Sequence, residues 1–362
     1  MIKNPHYFEL LKKIVRDHEK QTSSNPDESN PNSRILIVDG LNTFIRGFTM
    51  SPLLNDDGNH VGGIVSFLLS VGYAIRLLTP TRCVIVFDGK NGSIRRRKLY
   101  PDYKNKRSPS TRFNRTDVFL SETEEQESRV RQAKRLVQYL DCLPITCLSI
   151  DNVEADDVIS YVARETDNNH QNFIMSTDKD FIQLINDKVS VWNPTRKKLY
   201  DNSNDVLKDY NVPIENYLLY RAITGDISDN IKGLDGIKEK TLQKILPILF
   251  ESKNQTIDSI LEYCGSLDNK KRKLTSVETL LKSKEILEIN YKLMKLDGEM
   301  MTSTDKLRIT TIINNPIQTL KRHDFFKMIN EDKLHAGFKA AHTWLSETFT
   351  YLNGYANKTH KE

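Results

Sequence analysis

Apolar positions along this chain follow two rhythms. Short unbroken runs, "RILIVDG" (34–40), "CVIVFDG" (83–89), "ITCLSI" (145–150), "NFIMSTDKD" (172–180) and "KVSVWN" (188–193), read as strands buried on both faces. Between them the spacing changes to i, i+3, i+4, i+7. This predicts helices over Leu41–Phe48, about Val61–Leu78 and about Glu122–Leu140. A fourth covers "VEADDVISYVARE" (153–165), with Ala155, Val158, Ile159 and Val162 on one face. Strands alternating with helices predict an α/β fold, a mostly parallel central sheet with helices on both faces. Ahead of it, residues 6–19 read as an amphipathic helix and "QTSSNPDESNPNS" (21–33) as a flexible linker, so the compact fold is expected to begin at Arg34.

In such sheets the functional crevice lies beyond the carboxyl ends of the strands. Asp39, Asp88, Glu154, Asp156, Asp157, Asp178 and Asp180 all fall at or just past those ends. One or two acids at a helix start only complement the macrodipole, each by roughly 0.3–1 kcal/mol. Seven carboxylates in one crevice stay ionised together only if cations sit among them, or else some hold protons. With no His or Cys in the set, the donors are all oxygen, which selects Mg²⁺ or Mn²⁺ over zinc. A cluster too acidic for one ion suggests two, and two ions roughly 3.5–4 Å apart are the usual device for phosphodiester hydrolysis. Calcium storage is the plain alternative.

Charge decides between these readings. The 362 residues carry a net +5, and the excess is concentrated in "KNGSIRRRKLYPDYKNKRSPSTRFNR" (90–115). That stretch has ten Lys or Arg against the single acid Asp102, with Tyr100, Tyr103 and Phe113 interleaved. Basic density with aromatics points to nucleic acid and is unexplained by calcium storage. No run approaches a membrane span, and the N-terminus lacks a signal-peptide core and cleavage site, so a cytoplasmic protein is expected. Cys83, Cys142, Cys147 and Cys264 form no Cys-x-x-Cys pair; free thiols are expected, with Cys83 and Cys147 buried in strands.

"GDISDNIKGLDGIKEKTLQKIL" (225–246) is the second nucleic-acid element. Gly233 and Gly236 bracket a tight turn between helical segments, which can offer backbone N–H groups to phosphate. Lys232, Lys238, Lys240 and Lys244 add charge. Such a turn reads the backbone, not the bases. Asp226 and Asp229 could complete a second metal position or could cap the helix.

Taken together these segments resemble the 5′ nuclease, or flap endonuclease, superfamily. "VDGLNTFIRGF", "VFDGK", "YPDYKNKR", "VEADDVI", "STDKDFIQL" and "GDISDNIKGLDGIKEKT" occur in the family's order over about residues 34 to 250. The resemblance implies metal-binding roles for the nine acids Asp39, Asp88, Glu154, Asp156, Asp157, Asp178, Asp180, Asp226 and Asp229. It implies catalytic roles for Lys104 and Arg107 at the base of a helical arch, with Arg96 as the third partner by spacing. It implies DNA contacts from Arg46, Lys90, Ser228, Gly233, Gly236, Lys238 and Lys240, and a K⁺ ion at the hairpin. The family's hairpin ends in Gly-Ile-Gly; here it is Gly236-Ile237-Lys238, so Lys238 is expected to have negative φ and to open the following helix.

The organisation implied is an N-terminal helix and linker (1–33), then an α/β nuclease core (34–220) with a basic arch at about 90–128. A helix–three-turn–helix subdomain (221–300) and a helical C-terminal tail (301–362) follow. A stand-alone nuclease without a polymerase domain is expected, as in bacteriophages. The activity expected is a 5′→3′ exonuclease and flap endonuclease with two Mg²⁺ or Mn²⁺ ions. Its substrates would be branched or nicked DNA, or RNA primers on DNA. The protein is expected to be a monomer whose tail packs on the core or docks a replication partner. A PIN-type ribonuclease and a non-cleaving junction-binding protein are the alternatives.

Overall fold

The computed structural model describes residues 30–105, 114–116, 118–165, 171–267 and 275–360. The helix expected at 6–19, the linker up to residue 29 and Arg107 lie outside the described residues.

Six strands form the central sheet: β1 (Arg34–Asp39), β2 (Arg82–Val86), β3 (Thr146–Leu148), β4 (Gln171–Met175), β5 (Val189–Asn193) and β6 (Lys198–Tyr200). Their order is β3-β2-β1-β4-β5-β6. The first five run parallel, with Ile37 level with Val84 on one side and Ile174 on the other, and β6 returns antiparallel to β5. The winding reverses between β1 and β4, so the crevice opens where Asp39 and the acids after Met175 emerge.

Two expected strands are shorter than their apolar runs. β3 keeps only three residues, because it is an edge strand bonded to β2 alone and Pro144 just before it has no N–H to donate. Its Cys147 is exposed, a correction to the buried thiol expected there; Cys83 is buried, and all four cysteines are free. β4 stops at Met175, and Asp180–Leu184 turn instead into a short 3₁₀ segment.

Alternation along the strands separates two cores. Leu36, Val38, Cys83, Ile85, Phe173 and Met175 face one layer, built from α1 (Gly40–Met50) and α2 (Gly62–Leu78). Ile35, Ile37, Val84, Val86, Ile174 and Val191 face the other, where α5 (Ala155–Glu165) lies. Between them in sequence come the short α3 (Ile94–Leu99) and the long α4 (Glu122–Leu140). Val61 precedes α2 and has no side-chain cap to offer. Gln132 of α4 supplies one, its Oε1 accepting from the N–H groups of Gly63 and Ile64 at 2.9 and 3.3 Å.

Beyond β6, α6 (Ser203–Tyr210) and α7 (Ile214–Thr224) lead to a two-stranded hairpin, β7 (Gly225–Asp226) and β8 (Ile231–Lys232). α8 (Glu239–Ile245), α9 (Ile257–Ser266), α10 (Thr275–Lys282) and α11 (Lys284–Met294) follow, and with α7 they enclose a third core around Ile223, Leu242, Ile260 and Leu287. The chain then returns to the sheet. α12 (Ser303–Asn314) packs on α5, and α13 (Arg322–Glu331) and α14 (Ala341–Thr359) bring Phe325, Trp344, Leu345, Phe349 and Leu352 into the α1–α2 core. The tail thus lies on the core in this structure. No helix among the described residues is long and apolar enough to cross a membrane.

Candidate active site

Every acid named from the sequence sits around the carboxyl edge of the sheet or the hairpin beside it, but they divide into two sets. Asp39, Asp88, Asp156, Asp178 and Asp229 line one cleft of about 1050 Å³ together with Lys104. Asp39 ends β1; its Oδ1 accepts from Asn42 N–H in the first turn of α1 and its Oδ2 from Ser176 Oγ. Asp88 accepts from the N–H of Ala155, the first residue of α5, at 2.9 Å. That contact satisfies an orphan donor at the helix N-terminus and fixes the acid after β2 against the acids after β3. Asp178 accepts from Asp180 N–H at 2.9 Å.

Glu154, Asp157, Asp180 and Asp226 are held by resident cations. Arg96, 3% exposed, lies beneath the cluster. It grips Asp157 with both Nη groups, reaches Glu154 at 2.8 Å, and anchors its Nε on the Leu293 carbonyl. Arg96, expected by spacing as the catalytic partner of Lys104 and Arg107, is here buried as a brace for Asp157 and Glu154. Arg221 of α7 joins Asp180 (2.8 Å) to Asp226. Lys104 donates to Glu154 Oε1 at 2.6 Å and lies 3.8 Å from Asp229. Tyr103 donates to both Glu154 and Asp229. Lys104 has φ 55°, a left-handed conformation costly for a side-chain-bearing residue, and its N–H is bonded to the Asp229 carbonyl.

The electrostatics follow this division except at Asp180, which burial and Asp178 push up to about 7 despite Arg221. Burial, with repulsion from Asp178 and Asp88, pushes the Asp39 carboxyl up to about 7. Asp156 is driven well above the usual range by burial and by Asp178, Asp39 and Glu154. Asp178 is raised in the same way. Burial would also raise Glu154, but Lys104 and Arg96 outweigh it and hold the carboxyl below its ordinary value. Lys104, despite its burial, is held charged by Glu154, Asp156 and Asp229. Among the described residues no three carboxylates close on one point as a finished metal cage. The set nevertheless fits a hard cation: its donors are all oxygen, and its buried acids are pushed toward protonation for want of positive charge.

The same cleft is also lined by Arg46, Arg115, Arg129 and Arg196. Arg46 donates to Ser70 at 2.7 Å, and burial lowers its pKa. Arg115 and Arg129 come from the basic stretch and from α4, Arg196 from the β5–β6 turn. Arg196 could have been found by the rule that found the acids, since it follows a strand's carboxyl end. Arg221 carried no signal: "LLYRAIT" reads as an ordinary helix with one solvated arginine.

The hairpin residues serve packing first. A Cβ at Gly233 would lie 2.2 Å from the Thr224 carbonyl oxygen, so glycine there lets β8 close on the end of α7. Gly236 has φ +72° with open space around it, as expected of a turn presented outward. Lys238 has negative φ but is extended (φ −107°, ψ 166°), standing at the N-cap of α8 and not in its first turn as expected. Ser228 donates to Asp226 through both N–H and Oγ. Lys90 is exposed beside Asp151, and Lys240 is exposed on α8. Asn230 donates to the Asp102 carbonyl, which docks the hairpin on the segment carrying Lys104.

A parallel sheet with a carboxylate cleft at its switch point, lined also by arginines and flanked by a backbone-presenting hairpin, defines a phosphodiester-processing fold. The comparisons make this specific. Residues 34–211 match the family described as 5′-3′ exonuclease, N-terminal resolvase-like domain, in keeping with the resemblance carried by the motifs. It is 34% identical over 221 residues to the thermostable DNA polymerase I of Thermus filiformis, covering 61% of this chain and 24% of that protein. With the 5′-3′ exonuclease of Aquifex aeolicus it shares 28% over 279 residues, covering 76% and 86% of the two chains. The chain thus spans about a quarter of the length of that polymerase and most of the exonuclease. A bacteriophage T5 D15 flap endonuclease, solved with DNA and metal ions, superposes with a TM-score of 0.59 at 22% identity, over 83% of this chain and 99% of that one.

Proposed function

We propose that this protein is a divalent-metal, structure-specific 5′ nuclease, a 5′→3′ exonuclease and flap endonuclease acting on DNA or on RNA primers annealed to DNA. The observation that carries the reading is one cleft lined both by Asp39, Asp88, Asp156, Asp178 and Asp229 and by Lys104 and four arginines. Acids alone would suit storage of a cation; acids accompanied by arginines suit a polyanion held against that cation. Asp39, Asp88 and Asp156 are the residues that would hold one Mg²⁺ or Mn²⁺ ion, and Asp178, Asp180, Asp226 and Asp229 those that would hold a second. Such ions, when bound, activate water and steady the leaving oxygen. The chain's own contribution is placement. Arg46, Arg115, Arg129 and Arg196 bind the substrate backbone in the cleft they share with the acids. Lys104, kept charged by Glu154, meets charge developing on the scissile phosphate. The hairpin around Gly236, with Ser228 and Lys240, takes duplex backbone without reading bases, with or without a K⁺ ion.

The test is cleavage of a 5′-flap duplex by the metal-stripped protein with and without added Mg²⁺. Metal-dependent cutting near the junction is expected. Binding without cutting at any metal concentration would return the protein to a junction-binding role, and cutting of single-stranded RNA in preference to the flap would favour a PIN-type ribonuclease. Lys104→Ala should lower the single-turnover rate by about 10²-fold or more with a smaller loss of affinity. An equal, modest fall in both would make Lys104 a phosphate tether.

A further inference from the structure

Two arginines touch the acids, Arg96 buried and Arg221 partly so, and they are built differently. Arg96 is fixed from several sides: Asp157 and Glu154 take its Nη groups, and the Leu293 carbonyl takes its Nε at 2.8 Å. Neither its side chain nor those of Arg221, Asp180 and Asp226 line the cleft, which the last three border through Asp178. Arg221 has no backbone anchor among its described hydrogen bonds. Its Nε and Nη2 both go to Asp180 Oδ1 (3.3 and 2.8 Å), and the same Nη2 goes to Asp226 Oδ2. The two acids come from separate elements, the 3₁₀ segment after β4 and strand β7, and meet on this one guanidinium. Asp178, adjacent to Asp180 through its N–H, faces the cleft directly. All three side chains of the Arg221 cluster are partly open to solvent, between 13% and 17% exposed.

We infer that Arg221 stands in for the second cation of the cleft, and that a divalent ion enters beside Asp180 and Asp226 only by displacing its guanidinium. The inference rests on the two-cation reading above. The guanidinium occupies Asp180 Oδ1 and Asp226 Oδ2, so a divalent ion that needs those oxygens competes with it. Competition of this kind lowers the apparent affinity for the incoming ion by the stability of the pair it must break. It also makes the two ion positions unequal: the set around Asp39, Asp88 and Asp156 has no arginine on those acids among the described hydrogen bonds. The device would keep the second position neutralised in the absence of metal and leave it the weaker of the two.

A structural clamp would behave in the opposite way. If Arg221 served only to hold Asp180 and Asp226 in place, removing it would loosen the acids and weaken binding. The two cases separate in a titration of the metal-stripped full-length protein with Mn²⁺, followed by calorimetry and by the electron paramagnetic resonance signal of free Mn²⁺. For the unaltered protein a tight and a weak class are expected. Arg221→Gln should tighten the weak class about tenfold or more while the tight class moves less than twofold. Appearance of a second class only in Arg221→Gln supports the same conclusion. Arg221→Lys keeps the charge but loses the planar fork, and should tighten the weak class by a few-fold. It decides the matter if Arg221→Gln does not fold. A weak class unchanged or weakened in the folded variants overturns the inference while leaving the nuclease reading intact. Failure of the unaltered protein to bind Mn²⁺ or cut a flap would instead overturn the nuclease reading, and this inference with it.

Discussion

Adjacent carboxylates in "VEADD" have opposite physical fates. Asp156 faces the cleft and is pushed toward protonation by burial and by Asp178, Asp39 and Glu154. Asp157 points away and is gripped by the buried Arg96. Asp156→Asn should therefore raise the melting temperature of the metal-free protein, because it removes one of several crowded charges. Asp157→Asn should lower its stability by on the order of 3 kcal/mol, because a buried guanidinium loses its main partner. Both should cost most of the cleavage, the first through the cleft and the second through the collapse of Glu154 and Lys104 from their places. Thermal melts of the two metal-free variants check the signs; a fall for both would mean that Asp156 is also structural. At this scale the sequence revealed which acids gather, since the end of a buried strand is visible in a run such as "ILIVD". It did not reveal which of them are already partnered, because a partner such as Arg96 or Arg221 is chosen by packing between distant segments.

Helix α2 depends on a neighbour for its start. Gln132 caps it through Oε1, and its Nε2, with two protons to give, lies within hydrogen-bond distance of the His60 carbonyl, Ser128 Oγ and His60 Nδ1 (3.0 Å). His60 donates in turn from Nε2 to the Ser51 carbonyl at 2.7 Å, between the rings of Phe48 and Phe119. A neutral imidazole satisfies both contacts; a proton on Nδ1 would face the Gln132 amide. Burial holds the His60 pKa below its ordinary value, partly offset by Ser51 and Glu125. The folded protein thus takes up this proton later than the unfolded chain does, at about 6.5. Stability from His60 is complete above that pH and is lost as pH falls through 6.5 toward the lower folded value. The difference in melting temperature between the unaltered protein and His60→Gln should shrink from pH 7.5 to 5.5; a constant difference would show that His60 stays unprotonated in both states. Lys238 is the second test at this scale. From the N-cap of α8 its exposed side chain can reach a phosphate bound at the hairpin. Lys238→Ala should reduce the slope of log K against log salt by about one on any duplex, and an unchanged slope would leave the hairpin to its backbone. The α2 helix itself was legible from its period, but its cap was not, since Gln132 lies 69 residues from Gly63. The β5–β6 and β7–β8 hairpins escaped detection because strands of two or three residues carry too little pattern.

The parallel order of the sheet, the crevice at its carboxyl edge and the separation into two faces were all readable, because a strand buried on both sides leaves an unbroken apolar run. The role of the C-terminal helices was not, since an amphipathic period shows that a face is buried without showing against what. α14 lays Trp344, Leu345, Phe349 and Leu352 on the same core as Leu36 and Val38. Trp344 fits so closely over Gly72 that a Cβ there would lie 2.6 Å from its indole nitrogen. Ending the chain at residue 339 should therefore destabilise the whole domain by several kcal/mol, at roughly 1.5–3 kcal/mol for each large side chain lost from the core. A melting temperature unchanged by this truncation would show that α14 is an accessory. The same closure has a consequence during synthesis. Some 300 residues separate β1 from α14, and at roughly 5–20 residues per second a ribosome needs about 15–60 seconds to make them. Through that interval the part of the α1–α2 layer under Trp344 waits for its cover, and the acids of the cleft are made well before the domain around them is complete.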